Sequence, residues 1–477
     1  MRFIAVCLLC CCFSVSAQHF NGFLPSEFSG VLNARLNPAF IAGSPYKFDV
    51  SLINLNAYLA NDFGYLHTNE IGNLAFERII NSENRFVIGD QTLGGLSGLF
   101  SISPKKTIAF QYQFRNLSTG KDITPNFGDR NAFDQSGEFV NNSWHEFGIT
   151  YANVLLENKF ERLKVGITAK LMGTLGSVFV DIDDLSYQSI SNDSISLIDL
   201  EGQIGYSANL NEFEIFDGDL PFELPKISSL HPALDIGIAY EVMLSRRQSK
   251  AMYGIVNKPD ILYQHRFGIS ILDVGVIKYD YGSASFDIIN SISQTDPINY
   301  ENLLANLSSL RSLRDSLATV ANVTDLVGEY SVSLPTRLEL NYDYHLRKGW
   351  FVNMSAQLDL SSLMNTDYRI HYPNSISVSP RYDVGQWGAY FPLYWNMEGD
   401  IEFGTGLRYG PLTVGTHSLG SLLSAERTSF GMFFNLSIHQ LKSKVKRANC
   451  LSKSGMGTAI VRQKRTPQYR RKKFLFW

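Results

Sequence analysis

Nine histidines are scattered along the 477 residues, and none stands in a His-Glu-x-x-His or Cys-His grouping that would hold a metal. The chain has no Gly-x-Ser-x-Gly elbow and no Gly-x-x-x-x-Gly-Lys phosphate loop. Gly404-Thr405-Gly406 begins like a nucleotide loop, but no helical pattern follows, and small residues at crowded strand positions account for it. The chain is therefore read as a non-enzyme without catalytic residues, cofactor or metal. What it does carry is a spaced polar set: Gln111, Gln113, Arg115, Glu146, Lys164, Lys170, Asp235, Glu241, Arg337, Glu339 and Asp343. Both signs of charge occur in similar numbers. A wide pore that selects ions by sign lines itself with one charge. A mixed set predicts instead an interior cross-linked by ion pairs or filled by a plug, with Gln111, Gln113, Arg115, Glu339 and Asp343 facing that interior.

The elements that must position this set are strands. From Thr107 to Leu117, Ile108, Phe110, Tyr112 and Phe114 alternate with Ala109, Gln111, Gln113 and Arg115. Strand side chains point to opposite faces with period two, so one face is apolar and the other polar. The same alternation recurs about a dozen times, each copy about ten residues long, which is what a tilted strand needs to cross a bilayer. Examples are Leu163 to Leu171, Leu234 to Val242, Leu338 to Tyr344, Trp350 to Leu360 and Phe430 to Ile438. The fold expected is all-β, a transmembrane antiparallel barrel of about 14 strands. A soluble exported antiparallel protein is the rival reading. If the first strand leaves the periplasm, the connections at Pro104, Val154 to Glu161, Arg347 and Gly410 are periplasmic and short. Those at Asn61 to Thr92, Ser118 to Asn142, Asp181 to His231 and Tyr281 to Tyr330 are extracellular and long, and only Leu244 to Tyr263 breaks the rule. Within the long segments, Ile71 to Ile80 reads as a short helix and Asp181 to His231 as a small cap. Leu303, Leu307, Leu310, Leu313 and Leu317 mark an amphipathic helix packing its leucine face on the loop or rim.

Residues 1–17 read as a signal peptide: Arg2, an apolar core from Phe3 to Val15, and the small-residue site Val15-Ser16-Ala17. Four of the five cysteines fall within it, which leaves Cys450 alone in the mature monomer. Residues 18–45 form a leader broken by Pro25, Pro38 and Gly43 and expected to fold inward as an N-terminal plug, residues 46–439 the barrel, and residues 440–477 a basic periplasmic tail. Twelve of the 42 Lys and Arg follow His439, where no Asp or Glu occurs, so the near-neutral total hides a strongly acidic barrel. That tail is a solvated segment or a contact for an anionic periplasmic partner.

Asn37-Pro38-Ala39, just before the first strand, resembles an element of fatty-acid-transporter-like outer-membrane barrels, in which it belongs to an N-terminal plug. Together with Leu36, with Ser333-Leu334-Pro335-Thr336-Arg337-Leu338 and with Gly406-Leu407-Arg408-Tyr409-Gly410-Pro411-Leu412, it resembles an uncharacterised outer-membrane barrel family of Bacteroidetes-type bacteria. That family is similar in plan to the fatty-acid transporters and to the barrel partners of type IX secretion. The resemblance implies a barrel in the outer membrane and no established activity. His417-Ser418 resembles the His and Ser of outer-membrane phospholipases, and chance proximity explains it better. Asp193-Ser194-Ile195 and Asp315-Ser316-Leu317 resemble O-glycosylation acceptors. Two functions follow as expectations: passage of a small hydrophobic or amphipathic ligand through a plugged barrel, or a scaffold for secretion or surface-assembly proteins. Outer-membrane lipid is a partner on either reading, and nucleic acid is not.

Overall fold

The computed structural model describes residues 22–62, 64–68, 74–78, 86–122, 132–191, 194–211, 227–244, 263–291, 298–299, 310–319, 321–397, 401–420 and 428–441. The signal peptide and most of the basic tail lie outside them, as do Leu303, Leu307, Asp193 and the connection 245–262.

Fourteen antiparallel strands of the described chain close into one ring. They are β1 (Tyr46–Asn61), β2 (Val87–Gly94 and Ser97–Ser101), β3 (Lys106–Lys121), β4 (Ala132–Glu157) and β5 (Glu161–Ser191). Next come β6 (Leu230–Met243), β7 (Tyr263–Asp280), β8 (Arg337–Arg347), β9 (Trp350–Asp359) and β10 (Ser375–Val384). The ring is completed by β11 (Trp387–Tyr390 and Leu393–Asn396), β12 (Ile401–Phe403 and Thr405–Tyr409), β13 (Leu412–Thr416) and β14 (Ser429–Leu441). Each pairs with its neighbour, and β1 closes on β14 from Tyr46↔Leu441 to Ala60↔Ser429.

The burial pattern is inverted relative to a water-soluble core. On β4, Phe147, Ile149 and Tyr151 are exposed, while Glu146 and Thr150, in the alternate positions, are buried. On β3, Ile108 and Phe110 are exposed, and Gln111, Gln113 and Arg115 are buried. An apolar band facing out from a closed ring with a polar interior is matched by lipid and not by water. Exposed aromatics rim the short-turn end, where Trp350 meets Tyr382 and Trp387 meets Tyr409, with ring centroids 5.2 and 4.5 Å apart. The chain is an outer-membrane β-barrel, oriented by its short periplasmic turns and long extracellular connections.

Several strands outrun the bilayer. β4 has 26 residues and β5 has 31, against about 9–11 for a crossing. The expected connection Ser118 to Asn142 is thus largely strand, paired as far as Lys121↔Glu138. Alternation fades there because, beyond the membrane, the outer face meets water and takes polar residues while the ladder continues. Asp181 to His231 is not a separate cap either: β5 continues to Ser191 and the chain returns as strand Ser194–Tyr206, paired with it. The segment read as helix at Ile71 to Ile80 contains a strand, Leu74–Arg78, in a hairpin with Gly64–Thr68. The helix Leu310–Leu317 is present, and its Leu310 and Leu313 join the apolar cluster of the extracellular hairpin, as expected for a leucine face packed on a loop.

Candidate functional site in the barrel lumen

Residues 22–42 lie inside the periplasmic half of the ring. Phe23, Leu24, Val31, Leu32, Phe40 and Ile41 are buried in one cluster with the inward Ala109, Ala152, Ala239, Phe351 and Phe433 of the wall. Two short 3-10 turns, Glu27–Arg35 and Pro38–Ile41, carry the segment. Asn37 caps the second: its Oδ1 accepts from Ala39 N at 2.8 Å, and Pro38 supplies the first position, where no N–H is required. Asn37 Nδ2 then donates to two wall carbonyls, Ile238 O and Ile269 O, both at 3.1 Å. This close seating needs bare backbone opposite. A Cβ at Gly237 would meet Asn37 Oδ1, one at Gly166 the carbonyl of Pro38, and one at Gly268 the ring of Phe40. Gly237 and Gly166 face each other across β5 and β6. At the other turn, Gly30 sits at φ +62, with Asp49 so near that a side chain would strike its carboxylate. That approach lets Val31 N donate to Asp49 Oδ2 at 2.8 Å.

Ion pairs bind the segment to the wall and the wall to itself. Arg266 of β7 donates to Glu27 Oε1 at 2.7 Å and to the carbonyl of Pro25, with the Phe40 ring under its guanidinium at 4.2 Å. Arg381 grips both oxygens of Asp343 at 2.5 and 2.7 Å and also pairs with Asp383. Arg408 pairs with Asp383 at 3.3 Å and covers the ring of Phe28 at 4.4 Å. Lys164 and Arg162 share Glu241.

A second set lies further toward the extracellular side. Asp273, at φ +57 beside a bulge in β7, accepts from Arg115 at 3.0 Å, from Lys170 at 2.5 Å and from Arg337. Glu146 bridges Arg115 and Lys170, and Asp235 pairs with Lys170 at 2.8 Å. These groups border a cavity of about 20 Å³ that also meets Leu24, Arg35, Gln111 and Gln113.

On four strands the next inward residue beyond this layer is apolar: Leu117 after Arg115, Trp144 before Glu146, Met172 after Lys170 and Ala233 before Asp235. They begin a third layer. Pro335 cannot donate to a ladder, and β8 breaks there. Its upstream part, Glu329–Ser333, runs against the top of β7, and Tyr368–Arg369 adds to it in parallel. Phe179 stacks on Tyr368 with centroids 3.8 Å apart and meets Tyr330 at 5.2 Å, edge to face. His371, next to this stack, lies between Glu138 and Asp359, 3.4 Å from each.

The sequence-derived candidates thus fall in different layers. Asn37, Pro38 and Ala39 sit in the seat on β5 and β6. Gln111, Gln113 and Arg115 share the central cavity. Asp343 belongs to the deeper Arg381 cluster, and Glu339, buried, joins neither set of ion pairs. The three sequence stretches behind the family resemblance converge here, through Asn37, through Arg337 on Asp273, and through Arg408 on Asp383. Missed from sequence were Glu27, Arg266, Asp273, Arg381 and Asp383. Arg381 and Asp383 carried a signal, the alternation Ser375, Ser377, Ser379, Arg381, Asp383. His417 is buried, with Nε2 on Asn56 Oδ1 at 2.9 Å and its ring against Tyr58 and Phe433.

A sequence model for a family of unknown function, DUF5723, matches residues 38–417. No curated protein matches the chain. Among solved structures, the toluene transporter TbuX of Ralstonia pickettii is similar with a TM-score of 0.41 and 8% identity, over 87% of this chain and 94% of that one. A FadL homologue of Pseudomonas aeruginosa is similar with a TM-score of 0.39 and 12% identity, over 85% and 93%. The translocator domain of the autotransporter NalP from Neisseria meningitidis follows at 0.27 and 8%, over 82% and 88%.

Proposed function

We propose, on the premise that this chain belongs to the DUF5723 family, that it passes a small hydrophobic or amphipathic molecule across the outer membrane through a gated barrel. Residues 22–42 act as its periplasmic plug. The observation that carries the reading is the change of the inner wall from paired charges around Asp273 to stacked rings around Phe179. A mouth closed by buried, stacked rings offers an apolar molecule a place to leave water by displacing part of the stack. The lumen beneath is cross-linked by ion pairs, which does not favour free diffusion of ions or of bulky polar solutes. A ligand held at the rings proceeds only if the aromatic insert and then the plug yield, so transport is gated at both ends.

The test is uptake of a radiolabelled aromatic hydrocarbon and a long-chain fatty acid by a deletion strain, set beside a pull-down of neighbouring proteins. Uptake lost on deletion and restored by the wild-type gene, with no stable partner recovered, supports transport. Unchanged uptake together with a stoichiometric secretion or surface-assembly partner supports the scaffold reading.

A further inference from the structure

We infer that the central cavity holds one small monovalent anion of halide size, between Arg35 of the N-terminal segment and Arg115 of β3. The inference rests on the enclosure of that segment and on no transported substrate. Arg35 donates through Nη1 to Asn54 Oδ1 at 2.7 Å, while its Nε and Nη2 are enclosed without a hydrogen-bond partner. Nη2 of Arg115 is likewise enclosed and unpartnered, although the same side chain is paired through Nη1 with Glu146 and Asp273. Both arginines border the cavity. Gln113, which also borders the cavity, carries an unpartnered amide oxygen, but its oxygen and nitrogen can exchange places. Buried N–H groups of a cation left without an acceptor cost more than neutral ones, so the two arginines call for an acceptor between them.

Charge and size select that acceptor. The cavity is bordered by four cations, Arg35, Arg115, Lys170 and Arg337, and by three carboxylates, Glu146, Asp235 and Asp273, a net of one positive charge at its surface, with a fourth carboxylate, Asp90, set back near Arg115 and Arg337. Arg35 and Arg115 are close enough to repel each other; Glu146, near both, offsets part of that repulsion, and one further negative charge between them offsets the rest. The volume of about 20 Å³ exceeds the roughly 10–15 Å³ that one water requires, so a halide fits where sulfate, phosphate or gluconate does not. Arg35 comes from the plug and Arg115 from the wall. The anion therefore ties one to the other, and because it binds only the assembled lumen it stabilises the seated plug by mass action.

The experiment uses the full-length protein purified in detergent and reads the temperature at which its gel mobility converts from folded to unfolded. Sodium chloride is titrated against sodium gluconate at constant ionic strength. A saturable upward shift in chloride is expected for wild type, with Arg35→Gln folded in gluconate but showing no shift. Crystals grown in sodium bromide should give one anomalous peak between Arg35 and Arg115, which keeps the inference testable if Arg35→Gln fails to fold. Identical transitions in the two salts, an undiminished shift in Arg35→Gln, or water alone at that position would overturn it. A strain lacking hydrocarbon uptake phenotype would leave these readouts untouched, so the anion site and the transport reading fail separately.

Discussion

Asn37 and Phe179 stand at opposite ends of the same lumen, and almost nothing that fixes the first fixes the second. Around Asn37 the contacts are directional. Its amide reaches two wall carbonyls, glycines at 166, 237 and 268 let backbone approach, and Glu27 meets Arg266. Around Phe179 the contacts are rings: Tyr368, Tyr330 and Tyr281 within centroid distances of 3.8 to 6.1 Å. Directional bonds in a low-dielectric interior define one position and penalise any other, because each displaced group is left unpaired. Ring packing is less exacting, and another apolar body can replace part of it. Residues 22–42 are thus held in one position while the ring packing around Phe179 admits rearrangement; under the proposed function the first would act as a stopper and the second as a surface that a hydrophobic ligand can compete for.

The largest expected effect breaks this comparison outright. Deleting Phe20 to Leu36 removes Glu27 and the apolar residues packed on the inner wall while leaving the ring of strands intact. Planar-bilayer conductance should rise well above the wild-type level in a barrel that is heat-modifiable and correctly inserted. Unchanged conductance would show that the segment does not close the lumen.

Next in size is Phe179→Ala. Its ring is fully buried, and such truncations cost about 3–5 kcal/mol. Because the loss falls on the aromatic insert, amide exchange should accelerate at Glu329–Ser333 and Tyr368–Arg369. Exchange at Val31 and Ala39 in the N-terminal segment should stay as in wild type. Faster exchange at both ends would merge the two seals into one cooperative unit and defeat the contrast drawn above.

Asn37→Ala gives the converse, smaller effect. It strips one N–H partner from each of Ile238 O and Ile269 O and uncaps Pro38–Ile41, at a cost on the order of 1–3 kcal/mol. Exchange should now accelerate at Ala39 and not around Tyr368. Gly237→Val should reproduce that pattern from the wall side, since its side chain would occupy the place of Asn37 Oδ1. If the valine variant protects Ala39 as well as wild type does, the glycine seat is not what admits the segment.

How much of this was legible in sequence follows from which contacts are local. Ile108 to Arg115 announces a wall strand because strand periodicity is a property of the backbone, and the outer face must be apolar wherever lipid touches it. The same rule fails above the membrane, which is why Lys121 and Glu138 read as loop residues although they are paired. Partners in the lumen are non-local: Glu27 and Arg266 are 239 positions apart, and no spacing in the chain connects them. Asp273 was hidden by its bulge, which ends the regular alternation at Ile271 and places the side chain inward out of phase. Asn37 carries no signal in the sequence beyond the family resemblance. Its role depends on glycines at 166, 237 and 268, whose common purpose shows once β5, β6 and β7 lie side by side.

The smallest effect sharpens the comparison through pH. His371 is the titrating contact of the extracellular insert, held between Asp359 and Glu138, with Lys121 close enough to oppose it. The hydrogen bond to Asp359, then the one to Glu138, raise its pKa from 6.5 to about 9. A raised histidine contributes stability that is fully present below its unfolded pKa of about 6.5 and is lost as pH rises through its folded value. The insert should therefore loosen between pH 6.5 and 9. Over that window, limited proteolysis at 360–374 should accelerate in wild type, and His371→Ala should cleave at the faster rate throughout with no pH dependence of its own. A cleavage profile at 360–374 that is flat with pH in wild type would remove His371 as the clamp and leave the ring stack alone to hold the outer seal.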